Sequence, residues 1–194
     1  MTDYQKLYTG ISRAAWGYFF IYLDLKINTV SILPSFVGYL LFLSAIIYLK
    51  DEERDLSLLH TLGVILALWH GAQWLASWFP FELDGMWQFL DILISLVNLY
   101  FHFQFLTNLA SIAAKYLPEG YELDAKLLRY RTIQTVMLTA TTIISSLHPW
   151  ILEAWAYVSI VMIIIYLIAG VCLMKALFDL RKSLRRQESS PNLE

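Results

Sequence analysis

Cysteine is almost missing from this chain. Cys172 stands alone among 194 residues, so no intrachain disulfide shapes the fold. Charge is scarce too. Only 15% of the residues are Asp, Glu, Lys or Arg, where a soluble domain carries about 25%. A net charge of −2 argues against nucleic acid as a partner, which would demand a strongly basic face. His-Glu-x-x-His, Gly-x-Ser-x-Gly and Cys-x-x-Cys patterns are all absent, and with them the sequence signatures of metalloproteases, serine hydrolases and dithiol redox proteins. No glycine pattern cradles a phosphate. The chain reads as non-enzymatic.

Apolar residues are abundant instead. They make up 58% of the chain, the mean hydropathy is +0.56, and they come in runs of about twenty, which selects a membrane protein over a soluble core. The first run is Leu7–Leu23, where Arg13 must snorkel toward the near surface. No small-x-small cleavage site follows it, so it is read as a retained span. Asp24 to Ser31 makes a short polar connection. Pro34 suits the first turn of the second span, which ends at Leu49. The third span is Leu56–Phe79, closed by Pro80. The fourth runs from near Gly85 to Ala114, long enough to tilt or to project beyond the hydrocarbon. A link from Lys115 to Arg131 carries the turn signal Pro118-Glu119-Gly120. Thr132–Leu147 and Ala154–Leu177 complete the set. Gly17, Gly38, Gly63, Gly71 and Gly170 fall inside spans, where small residues let helices approach closely.

From Ala176 to Gln187, Leu177, Leu180 and Leu184 share one side while Arg181, Lys182, Arg185 and Arg186 fill much of the rest. This reads as a helix end lying along an anionic membrane surface, with docking of a cytoplasmic partner as the rival. Glu188 to Glu194 is expected to be disordered. The fold class is therefore all-α, a polytopic membrane bundle: one six-helix domain over residues 1–187, then a short tail.

Orientation follows from the basic residues. With the N-terminus inside, the inner side takes Lys6 and Arg13, Lys50 and Arg54, Lys115, Lys126, Arg129 and Arg131, then Lys175, Arg181, Lys182, Arg185 and Arg186. Of the 14 Lys and Arg residues, only Lys26 falls outside. Six transmembrane helices with both termini cytoplasmic, in the plasma membrane, are the expectation. The outer turns carry acids (Asp24, Glu82 and Asp84, Glu153) beside Trp78, Phe81, Trp87, Trp150 and Trp155, an interfacial aromatic belt.

Polar residues concentrate in the third and fourth spans. Asp91, Ser95, Asn98 and His102 recur at i, i+4, i+7 and i+11, one helix face. His70, Gln73, Trp74 and Ser77 form a face on the third span. Counted from the shared turn, His70 and Ser95 are each about 14 Å deep, hence level in an antiparallel hairpin. Asp91 lies nearer the outside and Asn98 a turn deeper. The candidate ligand-binding residues are therefore His70, Gln73, Trp74, Asp91, Ser95 and Asn98, with His148 beside them. Groups of this kind also join membrane helices with no further role, for about 0.6–2 kcal/mol each. Asp91 differs, because a carboxyl taken out of water either finds a cation or stays protonated, when it could donate to His70 or to the Asn98 side. By the same count His60 and His102 fall near the inner surface. Two facing imidazoles there would suit a haem iron, a minor alternative; no other cofactor or metal is indicated.

Two functional readings follow. One is a small-molecule binding or transport component with an outward-opening polar pocket between the third and fourth spans. In size and span count the chain resembles the substrate-binding membrane subunits of energy-coupling-factor vitamin transporters, a resemblance of architecture that carries over no residues. The other is a regulatory, immunity or scaffold membrane protein that engages a cytoplasmic or membrane partner through its basic inner loops.

Overall fold

The computed structural model describes residues 4–22, 26–27, 30–31, 34–78, 86–118, 122–147 and 154–189. Six helices dominate: α1 (Tyr4–Tyr22), α2 (Ser35–Leu49), α3 (Leu56–Ala76), α4 (Met86–Tyr116), α5 (Leu123–Leu147) and α6 (Ala154–Ser189). Between α1 and α2 lie two short strands, β1 (Lys26–Ile27) and β2 (Val30–Ser31), paired antiparallel with Lys26 opposite Ser31. Among the described residues three helices are long and apolar enough to cross a membrane: α3, α4 from Phe89, and α6 from Ile160. At 15 residues, α2 measures about 22 Å. Pro34 caps it from just outside the first turn, one position earlier than the sequence suggested.

Each helix packs on its neighbours in sequence, and α6 returns to α1, so the six form a closed ring. Neighbours run in opposite directions. Gly10 of α1 faces Leu49 at the end of α2, Glu52 beyond α2 meets Lys115 and Tyr116 at the end of α4, Thr107 of α4 meets Arg131 of α5, and Arg181 of α6 meets Ser12 of α1. All these contacts lie at one end of the ring, here the terminal end.

Glycine sets the closest approaches. A Cβ on Gly17 would stand 2.6 Å from the Phe42 ring, and one on Gly38 would stand 2.8 Å from the Gly17 carbonyl oxygen, so α1 and α2 touch almost backbone to backbone. Gly71 is the exception to the packing role read from sequence: a Cβ there would meet nothing nearer than Phe36 at 4.0 Å.

Burial is uneven along the ring. Leu7, Ile11, Leu49, Leu59, Leu109 and Leu127 form a dense core at the terminal end. Away from it α1 and α2 stay buried as far as Tyr22 and Gly38, whereas α3 beyond Ala67, α4 before Phe101, α5 beyond Met137 and α6 before Gly170 hold no buried residue among those described. From Ile160 to Ile168, α6 exposes isoleucine, valine and leucine over most of its surface, leaving Met162 and Tyr166 half-buried, the surface of a helix made for an apolar medium.

Two expectations are corrected. The fifth helix starts at Leu123, not Thr132. Leu123 and Leu127, one turn apart, are buried, Asp124 in the first turn suits the helix dipole, and Lys126 and Arg129, whose charge suggested a link, ride on the exposed side. The sixth helix runs unbroken to Ser189, so Glu188 and Ser189 are helical; residues 190–194 lie outside the described part. Leu177, Leu180 and Leu184 are each 0% exposed. The leucine side of the basic stretch thus faces the bundle core and not a membrane surface.

Candidate functional site

The α3–α4 hairpin has the register that places the two polar faces against each other. Near the end of α3 and the start of α4, Gln73 Nε2 donates to Asp91 Oδ1 at 2.9 Å, with both residues exposed. Deeper, the His70 ring stacks on Tyr39 of α2, centroids 4.8 Å apart and planes 8° from parallel. The Tyr39 hydroxyl donates to Asn98 Oδ1 at 2.7 Å. Trp74 stands beside Phe36 and Trp78, at 5.6 and 5.7 Å between centroids. Ser95 is half-buried on the same stretch of α4.

One turn below Asn98 lies His102, 2% exposed. Its Nδ1 is 3.3 Å from the Tyr18 hydroxyl of α1, and the rings of Tyr39, Phe42 and Phe101 enclose it. Tyr22 and Tyr166 lie nearby with tilted rings, 4.8 Å between centroids. Polar groups from α1, α2, α3 and α4 thus descend in steps from the exposed Asp91 to the buried His102, with Tyr39 as the shared member.

Of the candidates read from sequence, Gln73 meets Asp91 directly and His70 reaches Asn98 through Tyr39, with two corrections. Asp91 is exposed and accepts from Gln73, instead of being a buried acid directed at His70 or the Asn98 side. His102 sits in the middle of the core and not near the inner surface, because α4 has 31 residues and His102 is close to its midpoint. His60 is exposed while His102 is sealed among rings, so the two imidazoles do not form a pair around a haem iron. Among the described residues no group of three His, Cys, Asp or Glu side chains is arranged to hold a metal. Nothing in the sequence marks Tyr18 and Tyr39, since a tyrosine in an apolar run looks like any other core aromatic. His148, Trp150, Glu153 and the turn from Phe79 to Gly85 lie outside the described residues.

A second polar system closes the terminal end. The turn between α2 and α3 is tied to α4: Glu52 accepts from Lys115 Nζ at 2.9 Å and from the Tyr116 hydroxyl, Glu53 accepts from Ser111, and Asp55 accepts from Gln104 Nε2 at 3.0 Å. Burial pushes the Glu52 carboxyl up, but the hydrogen bonds from Tyr116 and Lys115 outweigh it and hold the group below its ordinary 4.5. Three arginines are seated alike, each on a ring and each donating to a hydroxyl of the next helix: Arg13 on Tyr48 and to Ser44, Arg131 on Phe103 and to Thr107, Arg181 on Tyr8 and to Ser12. A guanidinium matched in this way tolerates partial burial. The chain matches no protein-family model, no curated protein and no solved structure.

Proposed function

We propose that the chain crosses the plasma membrane six times with both termini cytoplasmic, and that it binds a small molecule from the outer side as a binding or transport component. The observation that carries this reading is the break in packing halfway along α3, α4, α5 and α6. Above it the described residues of these four helices are half-buried or exposed; at the break lies the polar ladder of Tyr39, His70, Asn98, Tyr18 and His102. Apolar walls over a few convergent polar groups are the usual make-up of a small-molecule site. The alternating helix directions bring the basic residues assigned to the inner side to the terminal end, which supports a cytoplasmic assignment for that end. The second reading, a regulatory or scaffold protein, draws on the tied α2–α3 turn, whose hydrogen bonds to α4 make a rigid inner surface for a partner.

Asp91, at the mouth, is the residue to test. Its exposed bond to Gln73 contributes at most about 1 kcal/mol, so Asp91→Asn leaves thermal stability in detergent nearly unchanged. Small molecules that copurify with the parent, identified by mass spectrometry, fall at least about tenfold in the variant, a loss of about 1.4 kcal/mol in binding. A variant that retains them like the parent removes Asp91 from the site.

A further inference from the structure

We propose that the small molecule of the outer site is an organic cation whose primary ammonium group is held between the Asp91 carboxylate and the Ser95 hydroxyl. This rests on the binding reading given above and names its substrate class. Among the described residues, α3 beyond Ala67, α4 before Phe101, α5 beyond Met137 and α6 before Gly170 contain one Asp, Glu, Lys or Arg, and it is Asp91. Residues 18–22 of α1 and 35–39 of α2 add none. Asp91 is exposed, its Oδ1 takes a hydrogen bond from Gln73, and among the described residues it has no ion pair. Oδ2 is left for a ligand. His70, the basic side chain nearest in sequence to Gln73, lies flat against Tyr39.

Charge selects the class. A carboxylate set among apolar helices calls for a counter-charge, and one carboxylate matches one positive charge. An anion would add a second negative charge where no Lys or Arg answers it. Magnesium and calcium ions demand about six or more oxygens, and among the described residues no group of three His, Cys, Asp or Glu side chains is arranged to hold a metal. The approach has the same sign. By sequence the outer connections carry Asp24, Glu82, Asp84 and Glu153 against Lys26, a field that draws cations to the mouth.

Spacing selects a primary ammonium. Asp91 and Ser95 are four residues apart on α4, so their side chains leave one helix face about 5–6 Å from each other. Ser95 is half-buried, and among the described residues its hydroxyl has no hydrogen-bond partner. An ammonium offers three N–H donors, enough to reach Asp91 Oδ2 and Ser95 Oγ together. A quaternary ammonium brings the charge and neither bond. Beside the carboxylate, Trp74 follows Gln73 in the chain and stands 5.6 Å from Phe36 between centroids. Such rings suit an apolar body and attract a cation.

The test titrates the full chain in detergent near neutral pH with benzylamine, benzyltrimethylammonium, benzyl alcohol and benzoate, read by isothermal titration calorimetry. The probes share a ring and differ in charge and in N–H groups. Protonated benzylamine binds at least about tenfold more tightly than benzyl alcohol, benzyltrimethylammonium falls between them, and benzoate binds most weakly. Asp91→Asn removes the preference for charge. Ser95→Ala weakens benzylamine severalfold and leaves benzyltrimethylammonium as it was, and losing one hydroxyl keeps a folding defect in the Asp91 variant from deciding the outcome. Glu82→Gln, an equal loss of charge in the outer turn, changes the preference less than about twofold, since salt screens a distant charge. Benzyl alcohol or benzoate binding as tightly as benzylamine overturns the cation, and an equal loss in Glu82→Gln overturns the assignment to Asp91. Benzyltrimethylammonium binding as tightly as benzylamine overturns the primary ammonium. Binding of none of the four overturns the proposal outright, while the molecules that copurify with the parent decide separately whether the outer site binds at all.

Discussion

Tyr39 joins three helices through one side chain, and nothing in its neighbourhood along the chain announces this. His70, Gln73, Asp91 and Asn98 were legible because polar residues at helical spacing in an apolar run demand an explanation. Their partners were not, because a partner is chosen by which helix lies opposite, and a tyrosine among Phe and Leu serves equally as filler. Glu52 was passed over for the opposite reason: a carboxylate in a short charged turn looks solvated. It is held by Lys115 and Tyr116, and its proton is bound more weakly folded than unfolded. Stabilisation from such a group is complete above the unfolded value and is lost as pH falls through the folded one. Glu52→Gln therefore lowers the melting temperature near neutral pH, and the gap to the parent closes as pH drops below 4.5. Thermal unfolding of both proteins across an acid series checks this; a gap that stays constant with pH contradicts it.

Among the elements, helices defined by apolar runs were placed within a few residues, and the errors fell where charge overlaid a helical pattern. Lys126 and Arg129 hid the first turns of α5, although Leu123, Leu127 and Tyr130 keep a helical spacing through them. The same overlay turned the end of α6 into a surface helix, since a stripe of three leucines faces lipid or core with equal ease and only the neighbouring helices decide. Glycine carries the contrast between tight and loose elements. Gly38→Ala drives a methyl into the Gly17 carbonyl, overpacking that costs about 1–3 kcal/mol. Gly71→Ala enters open space and gains the helix preference of alanine, up to about 1 kcal/mol. Melting temperatures in detergent should rank Gly71→Ala at or above the parent and Gly38→Ala clearly below. The reverse order would show that the α1–α2 contact is not what limits stability.

For the molecule as a whole, the alternation of helix directions was already implied by the six apolar runs. Ring closure was not, because it depends on shape: the Tyr22 ring against Gly170 and Arg181 on Tyr8 bring α6 back to α1. The orientation is open to a direct measurement. In a Cys172→Ala background, cysteines placed at Asp84 or Glu153 should react with an impermeant thiol reagent in intact cells, and those at Glu53 or Glu122 only after permeabilisation. Labelling at Glu53 or Glu122 in intact cells would reverse the assignment.

The halt in burial at Ala67, Phe101, Met137 and Gly170 also divides the chain energetically. Backbone amides in helices that keep their neighbours open to exchange with solvent or deuterium only when large units unfold, whereas amides in segments without buried side chains open locally at little cost. In this ring the boundary cuts across four helices at one level instead of separating whole helices from one another. Cooperative unfolding units here would thus be slices of the bundle: α1 and α2 belong to the stable slice over their full length, and α3 to α6 change membership midway. A membrane around the upper slice would supply part of the restraint that side-chain packing does not, so detergent or lipid thickness should tune that half of the protein and leave the other half largely alone.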